Sequence, residues 1–160
     1  MLRVPRIKNR NMEMKIVLVD IDGTITKVGD RINHLNETPK NWDSFYNRCG
    51  EDLPVIPIVN LVKKLSESNK IVFCTGRREN CRPDTVQWIK NHLGFNEEDY
   101  KLLMRANGDL RHDTKAKPEL LIKEGIKLDD IEFVLEDRNS MVNKWRELGL
   151  ICLQVAEGDF

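Results

Sequence analysis

IVLVDIDGTIT, residues 16–26, joins an unbroken apolar run to two aspartates one residue apart, followed at once by glycine and threonine. A short apolar run bounded by turn formers reads as a buried strand. Side chains of an extended chain alternate in direction, so Asp20 and Asp22 point the same way and share one small volume. Two like charges that close need a cation or a shared proton. A divalent metal supplies that relief, and a ligand set made of oxygens favours Mg²⁺. Gly23 and Thr24 then turn the chain, which lets backbone N–H groups face an anion.

Working outward, residues 15–20 form the first of several strand-like runs, followed by 70–74, 101–105, 131–136 and 151–155. Between them apolar residues recur at helical spacing: Ile58, Val59, Val62 and Leu65, then Val86, Ile89 and Leu93 after Pro83. Leu120 and Leu121 before Gly125, and Met141, Val142, Trp145 and Leu148 before Gly149, complete the pattern. Alternation of this kind predicts an α/β fold, a doubly wound and mainly parallel sheet. Ligands of such sheets bind beyond the carboxyl ends of the strands. Residues 30–57, rich in Asn, Pro and aromatics, break the rhythm and predict a small insertion after the first strand. Trp42, Phe45 and Tyr46 are expected to fasten it to the body. Arg3, Arg6, Lys8 and Arg10 make residues 1–13 a basic N-terminal arm, with the globular domain over 14–160.

The other strand ends carry chemistry as well. The second ends in Cys74-Thr75-Gly76-Arg77, which offers a phosphate-sized anion a hydroxyl, a close backbone approach and a charged fork. After the third, MRANGDLRHDTKAKPEL crowds Arg105, Arg111, His112, Lys115 and Lys117 together, and one such lysine can offset charge on a transferring phosphoryl group. The fourth runs into Glu136-Asp137-Arg138. By alternation only one of those acids faces the centre and the other serves outside it. Helix N-capping by Asp137 or Asn139 is the competing reading.

DIDGT, TGR, a lysine and EDR, each after or near a strand, resemble in their order the four motifs of the haloacid dehalogenase superfamily of phosphatases. Arg31 in KVGDR, the RxxGDxRxDxxxK pattern from Arg105 to Lys117, and the ending from Trp145-Arg146 to QVAEGDF are similar to the 3′-phosphatase domain of the phage polynucleotide kinase-phosphatase. The resemblance implies a HAD-like Rossmannoid fold in which Asp20 is the nucleophile and Asp22 the general acid/base. It implies that Asp20, Asp137 and the Asp22 carbonyl hold Mg²⁺. Thr75, Gly76, Arg77, Arg31, Asp113 and Lys117 fall on substrate-binding positions, and Glu136, in the outer shell, stands where that family has an aspartate. The implied activity is removal of the terminal phosphate from a 3′-phosphorylated DNA or RNA end, in end repair, with a separate kinase or ligase as partner. No GxxxxGK[ST] is present, so the sequence predicts a phosphatase without the kinase half.

Composition bounds the alternatives. At 160 residues the chain suits one domain, and 26 basic side chains balance 26 acidic ones, so no global field marks a nucleic-acid coat or a membrane-surface binder. The four cysteines form no CxxC pair and no secretory segment precedes them, which predicts free thiols and a cytoplasmic protein. No apolar run approaches the ~20 residues of a membrane span. A small-molecule phosphatase acting on nucleotides is the nearest alternative, favoured by an enclosed site. A phospho-acceptor receiver domain also gathers acids, a hydroxyl and a lysine, but needs an aspartate after the third strand, where KLLMRANG has none. A nucleic-acid binding module without catalysis is the remaining class.

Overall fold

The computed structural model describes residues 14–160; the expected basic arm over 1–13 lies outside the described residues. In chain order the main elements are β1 (Ile16–Val19), β2 (Thr26–Lys27), α1 (Trp42–Tyr46), β3 (Leu53–Pro54), α2 (Ile56–Leu65) and β4 (Lys70–Arg78). They continue with α3 (Arg82–Leu93), β5 (Tyr100–Arg105), α4 (Asp113–Lys123), β6 (Ile131–Glu136), α5 (Asn139–Glu147) and β7 (Cys152–Gln154). The five long-range strands form one sheet in the order β5-β4-β1-β6-β7, every neighbouring pair parallel. The doubly wound reading therefore holds.

β1 lies at the centre, paired with β4 on one side and β6 on the other, and Val17, Leu18 and Val19 are fully buried. A strand covered on both faces has no solvent side, which is why the run shows no polar alternation. One face packs on α2 and α3 through Val59, Val62, Trp88 and Ile89; the other packs through Leu121, Met141, Val142 and Trp145. Gly94 closes α3 with φ 73°, a conformation glycine adopts without a Cβ clash. Among the described residues no helix is long and apolar enough to cross a membrane.

Two segments differ from the sequence reading. The second strand was expected over 70–74, yet β4 runs on through Thr75, Gly76 and Arg77 to Arg78, which pairs with Arg105 after a register shift beyond Cys74. An irregularity of this kind bends the strand and re-aims its side chains while the pairing resumes. The helix expected around Leu120 and Leu121 reaches back into the basic segment after β5: α4 begins at Asp113, with the His112 side chain accepting the Thr114 N–H. Residues 30–57 fold into 3-10 turns, α1 and β3, which pairs antiparallel with β2. Phe45 and Tyr46 are buried there, their rings 5.0 Å apart and Trp42 5.5 Å from Phe45.

Candidate active site

Asp20 is the first residue beyond β1 and is only 5% exposed. Lys117, 2% exposed, donates its Nζ to Asp20 Oδ1 at 2.7 Å and to Glu136 Oε2 at 3.0 Å. It arrives there because α4 starts at Asp113, and residues four apart on a helix share a face. Burial alone lowers the pKa of such a lysine, but Asp20 and then Glu136 outweigh it and hold Lys117 charged, well above the ordinary lysine range. Thr24 Oγ1 bridges the two sides of the cluster, 2.9 Å from Asp20 Oδ2 and 3.2 Å from Asp137 Oδ1.

Asp20, Glu136 and Asp137 each contribute an oxygen to a set lying within 4.8 Å of one another. Three buried carboxylates face one lysine. Burial, followed by repulsion from Asp20, pushes the pKa values of both Glu136 and Asp137 up. An all-oxygen donor set with surplus negative charge fits a hard divalent cation, which would neutralise what Lys117 leaves over. Alternation put only one of Glu136 and Asp137 at the centre, and the resemblance set Glu136 outside it. Both carboxylates are in the cluster because β6 ends at Glu136 and Asp137 no longer follows the strand period.

Gly23 makes room for this arrangement. Its φ is +81°, and a Cβ built on it would stand 2.1 Å from Asp137 Oδ2. Gly23→Ala is therefore expected to cost about 1–3 kcal/mol in backbone strain and overlap. Thermal unfolding reads the stability loss, and a melting temperature equal to wild type would refute the close approach. The turn itself departs from expectation. The Gly23 N–H bonds to the Thr26 carbonyl at 3.0 Å and the Thr24 N–H to the Ile21 carbonyl at 3.1 Å. Those donors, expected to face an anion, are satisfied inside a tight turn.

Asp22 has different company. Arg77 Nε lies 3.1 Å from its Oδ2 and Arg77 NH2 2.8 Å from its Oδ1, while Arg31 NH2 reaches Oδ1 at 3.0 Å. Burial raises the Asp22 pKa, but Arg77 and then Arg31 outweigh it and lower the carboxyl below its usual value. Arg31 is in turn gripped by Asp52, whose Oδ1 accepts its Nε at 2.9 Å, and by the Phe45 carbonyl. Asp52 is held through its own carbonyl, which accepts the Trp88 indole N–H at 2.8 Å. Sequence reasoning missed Asp52, since GEDLP in an aperiodic insertion carries no signal that distinguishes it from a solvated turn.

Gly76 and Asp113 close the remaining side. A Cβ on Gly76 would sit 2.7 Å from Asp113 Oδ1 and 3.0 Å from the Tyr46 hydroxyl, so the missing side chain admits both. Asp113 accepts from Arg105 and from Arg138 NH1, the latter at 3.0 Å. Burial raises its pKa, and Lys117, Arg105 and Arg138 together bring it below the usual range. Thr75 is buried, its Oγ1 accepting the Arg77 N–H at 3.1 Å. Asp20, Asp22, Gly76, Asp113, Lys117, Glu136 and Asp137 thus line one cavity of about 20 Å³; Arg31, Thr75 and Arg77 stand outside its wall.

The family model for the polynucleotide kinase PNKP phosphatase domain matches residues 14–160. The chain belongs to that family. It is a phosphatase domain of the haloacid dehalogenase type, a phosphoric monoester hydrolase, as the DIDGT, TGR and EDR resemblance implied. A chain of the Pnkp1/Rnl/Hen1 complex is similar at 30% identity and TM-score 0.71, over 94% of this chain and 49% of that one. A chain of the Pnkp1/Rnl/Hen1 RNA repair complex is similar at 31% identity and TM-score 0.74, over 92% and 44%. This chain spans less than half the length of either relative. A haloacid dehalogenase-like hydrolase from Streptococcus pneumoniae shares the fold, at 12% identity and TM-score 0.60, over 88% of this chain and 84% of that one.

Proposed function

We infer that this PNKP-family phosphatase domain removes the 3′-terminal phosphate from DNA or RNA ends, with Mg²⁺ as cofactor and Asp20 as nucleophile. The observation that carries the reading is the 2.7 Å contact of the Lys117 ammonium with Asp20 inside a cluster of three carboxylates. One residue is then both shielded from its neighbours and aimed into the cavity. Asp20 and Asp137, with the Asp22 carbonyl oxygen, would hold the metal. When bound, Mg²⁺ supplies the positive charge that lets an anionic carboxylate approach a dianionic phosphate.

Asp20 attacks phosphorus in line and forms an aspartyl-phosphate, while Lys117 draws charge from a phosphoryl oxygen. Asp22 gives a proton to the departing sugar oxygen and then takes one from the water that hydrolyses the intermediate. Arg31 and Arg77 hold Asp22 as the anion in the free domain, the form the second step requires. An entering phosphate dianion, by its own charge, favours the protonated form that the first step requires. Glu136 fixes the Lys117 ammonium from the far side.

The polynucleotide end as substrate rests on the family and on the two relatives from Pnkp1/Rnl/Hen1 assemblies, one of them an RNA repair complex. The same relatives support end repair as the setting, beside a kinase or ligase on another chain or segment. The test is release of phosphate from a 3′-phosphorylated oligonucleotide, a 5′-phosphorylated one and a 3′-mononucleotide at equal concentration, with Mg²⁺ and with chelator. The expected result is turnover of the 3′-phosphorylated oligonucleotide at least about tenfold above the others and abolished by chelator. Equal turnover of oligonucleotide and mononucleotide would reassign the domain to small phosphomonoesters.

A further inference from the structure

The catalytic cavity, at about 20 Å³, has space for a water or an ion and none for a nucleoside. A second cavity of about 410 Å³ adjoins it and shares Trp42, Tyr46, Asp113 and Arg138 as a common wall. That volume lies near the lower end of the ~300–1,000 Å³ typical of ligand pockets, the scale of one nucleotide. Nothing in the phosphoryl-transfer chemistry above uses it.

Its lining combines an aromatic face with cations. Trp42 is half-buried at the wall, with Arg138 Cζ 5.4 Å from its ring and Lys40 Nζ 6.0 Å from it. Arg138 is also 5.4 Å from the Phe160 ring, and it is tied to the catalytic side through Asp113 and to the chain end through the Phe160 carbonyl at 2.6 Å. Arg111 is already occupied by Asp109 and Glu119. Arg78 meets Asp43 with one NH group, but its Nε is buried with no hydrogen-bond partner. A buried, unpartnered guanidinium N–H beside an exposed lysine is what an entering anion would satisfy.

We propose that this cavity is the subsite for the nucleotide that carries the scissile phosphate. Its base lies against Trp42, and the phosphodiester on its 5′ side is met by Lys40 and Arg78. The proposal rests on the polynucleotide 3′-phosphatase reading and deepens it. A base needs an aromatic or cationic plane and tolerates any sequence, whereas a phosphodiester needs charge at a fixed distance along the strand. The wall shared by the cavities puts the sugar oxygen at the threshold, between Asp113 and the nucleophile's cavity.

The test compares kcat/KM for a 3′-phosphorylated dinucleotide, a 3′-mononucleotide without a 5′ phosphate, and p-nitrophenyl phosphate. Ratios are taken within each variant, which cancels any loss of folded enzyme. Lys40→Ala and Arg78→Ala are each expected to lower the dinucleotide-to-mononucleotide ratio about tenfold, and to reduce the salt slope for the dinucleotide by about 0.7. Trp42→Leu is expected to lower the mononucleotide-to-p-nitrophenyl phosphate ratio about tenfold, and Trp42→Phe to restore most of it. If wild type prefers the dinucleotide but the variants lower all three substrates by one factor, the subsite is overturned and the function stands. If wild type does not distinguish dinucleotide from mononucleotide, the polynucleotide reading falls and the subsite falls with it.

Discussion

Asp20→Asn is expected to lower phosphate release on the order of 10³-fold or more, because a carboxamide cannot form the acyl-phosphate bond that divides the reaction into two steps. The same substitution is expected to leave the fold intact. Asparagine keeps the shape, its Oδ1 can still accept from Lys117, and the Thr24 hydroxyl can turn to accept from the new amide. One anion is removed from a cluster in which three carboxylates share one lysine. Asp20 is the largest charge acting on both Glu136 and Asp137 after burial itself, so its neutralisation relieves both. The melting temperature in chelator should equal or exceed that of wild type. Phosphate release and thermal unfolding, measured on one preparation, separate the two effects. A loss of less than tenfold in turnover removes Asp20 as the nucleophile, and a collapse in melting temperature removes the account of the cluster as a site of repulsion.

The same stretch that carries Asp20 made the architecture readable. Val17 to Val19 are buried on both faces, and a central parallel strand is the one element whose sequence advertises its position without tertiary context. Strand ends were readable for a related reason, since the doubly wound topology sends every such end to one edge. What alternation could not reach was the residue just past a strand. Glu136 obeys the β6 period and Asp137 does not, so both enter the cluster where one was expected. The second strand looked complete at Cys74 because TGR ends its apolar run, but the pairing resumes between Arg78 and Arg105, a partner 27 residues later that no local pattern names. Lys117 was singled out among the basic residues after the third strand only by the resemblance; what turns it inward is α4, starting at Asp113, which no spacing of charges announces. The pairing of Arg31 with Asp52 lies wholly within the insertion, whose order comes from irregular side-chain contacts rather than a period.

Arg77→Met is expected to destabilise the domain by about 3–5 kcal/mol, the scale for removing one partner of a buried ion pair. For a chain of this length that corresponds to a fall in melting temperature of roughly 6–20 °C. Arg77 is 0% exposed and uses its whole guanidinium: Nε and NH2 on Asp22, NH1 on Thr85 Oγ1 at 3.0 Å, and NH2 within 3.6 Å of Asp52. Methionine fills most of the volume and leaves Asp22 and Asp52 to share Arg31 alone. Arg77→Lys keeps the charge but not the planar fork, so it should fall between the two. The effect depends on pH in a defined sense. Asp22 has its folded-state pKa lowered, so the stability it contributes is present above the ordinary carboxyl range and is lost as pH falls through the folded value. Wild type and Arg77→Met should therefore differ most at neutral pH and converge in acid. Adding Asp22→Asn to Arg77→Met should recover part of the loss, since the anion left without its partner is then gone. Chemical unfolding of the four proteins in the cycle at neutral and acid pH measures this coupling. A loss below about 1 kcal/mol in the single variant at neutral pH would mean that the pair contributes no more than a surface ion pair, and that something other than Arg77 fixes Asp22 against the cavity.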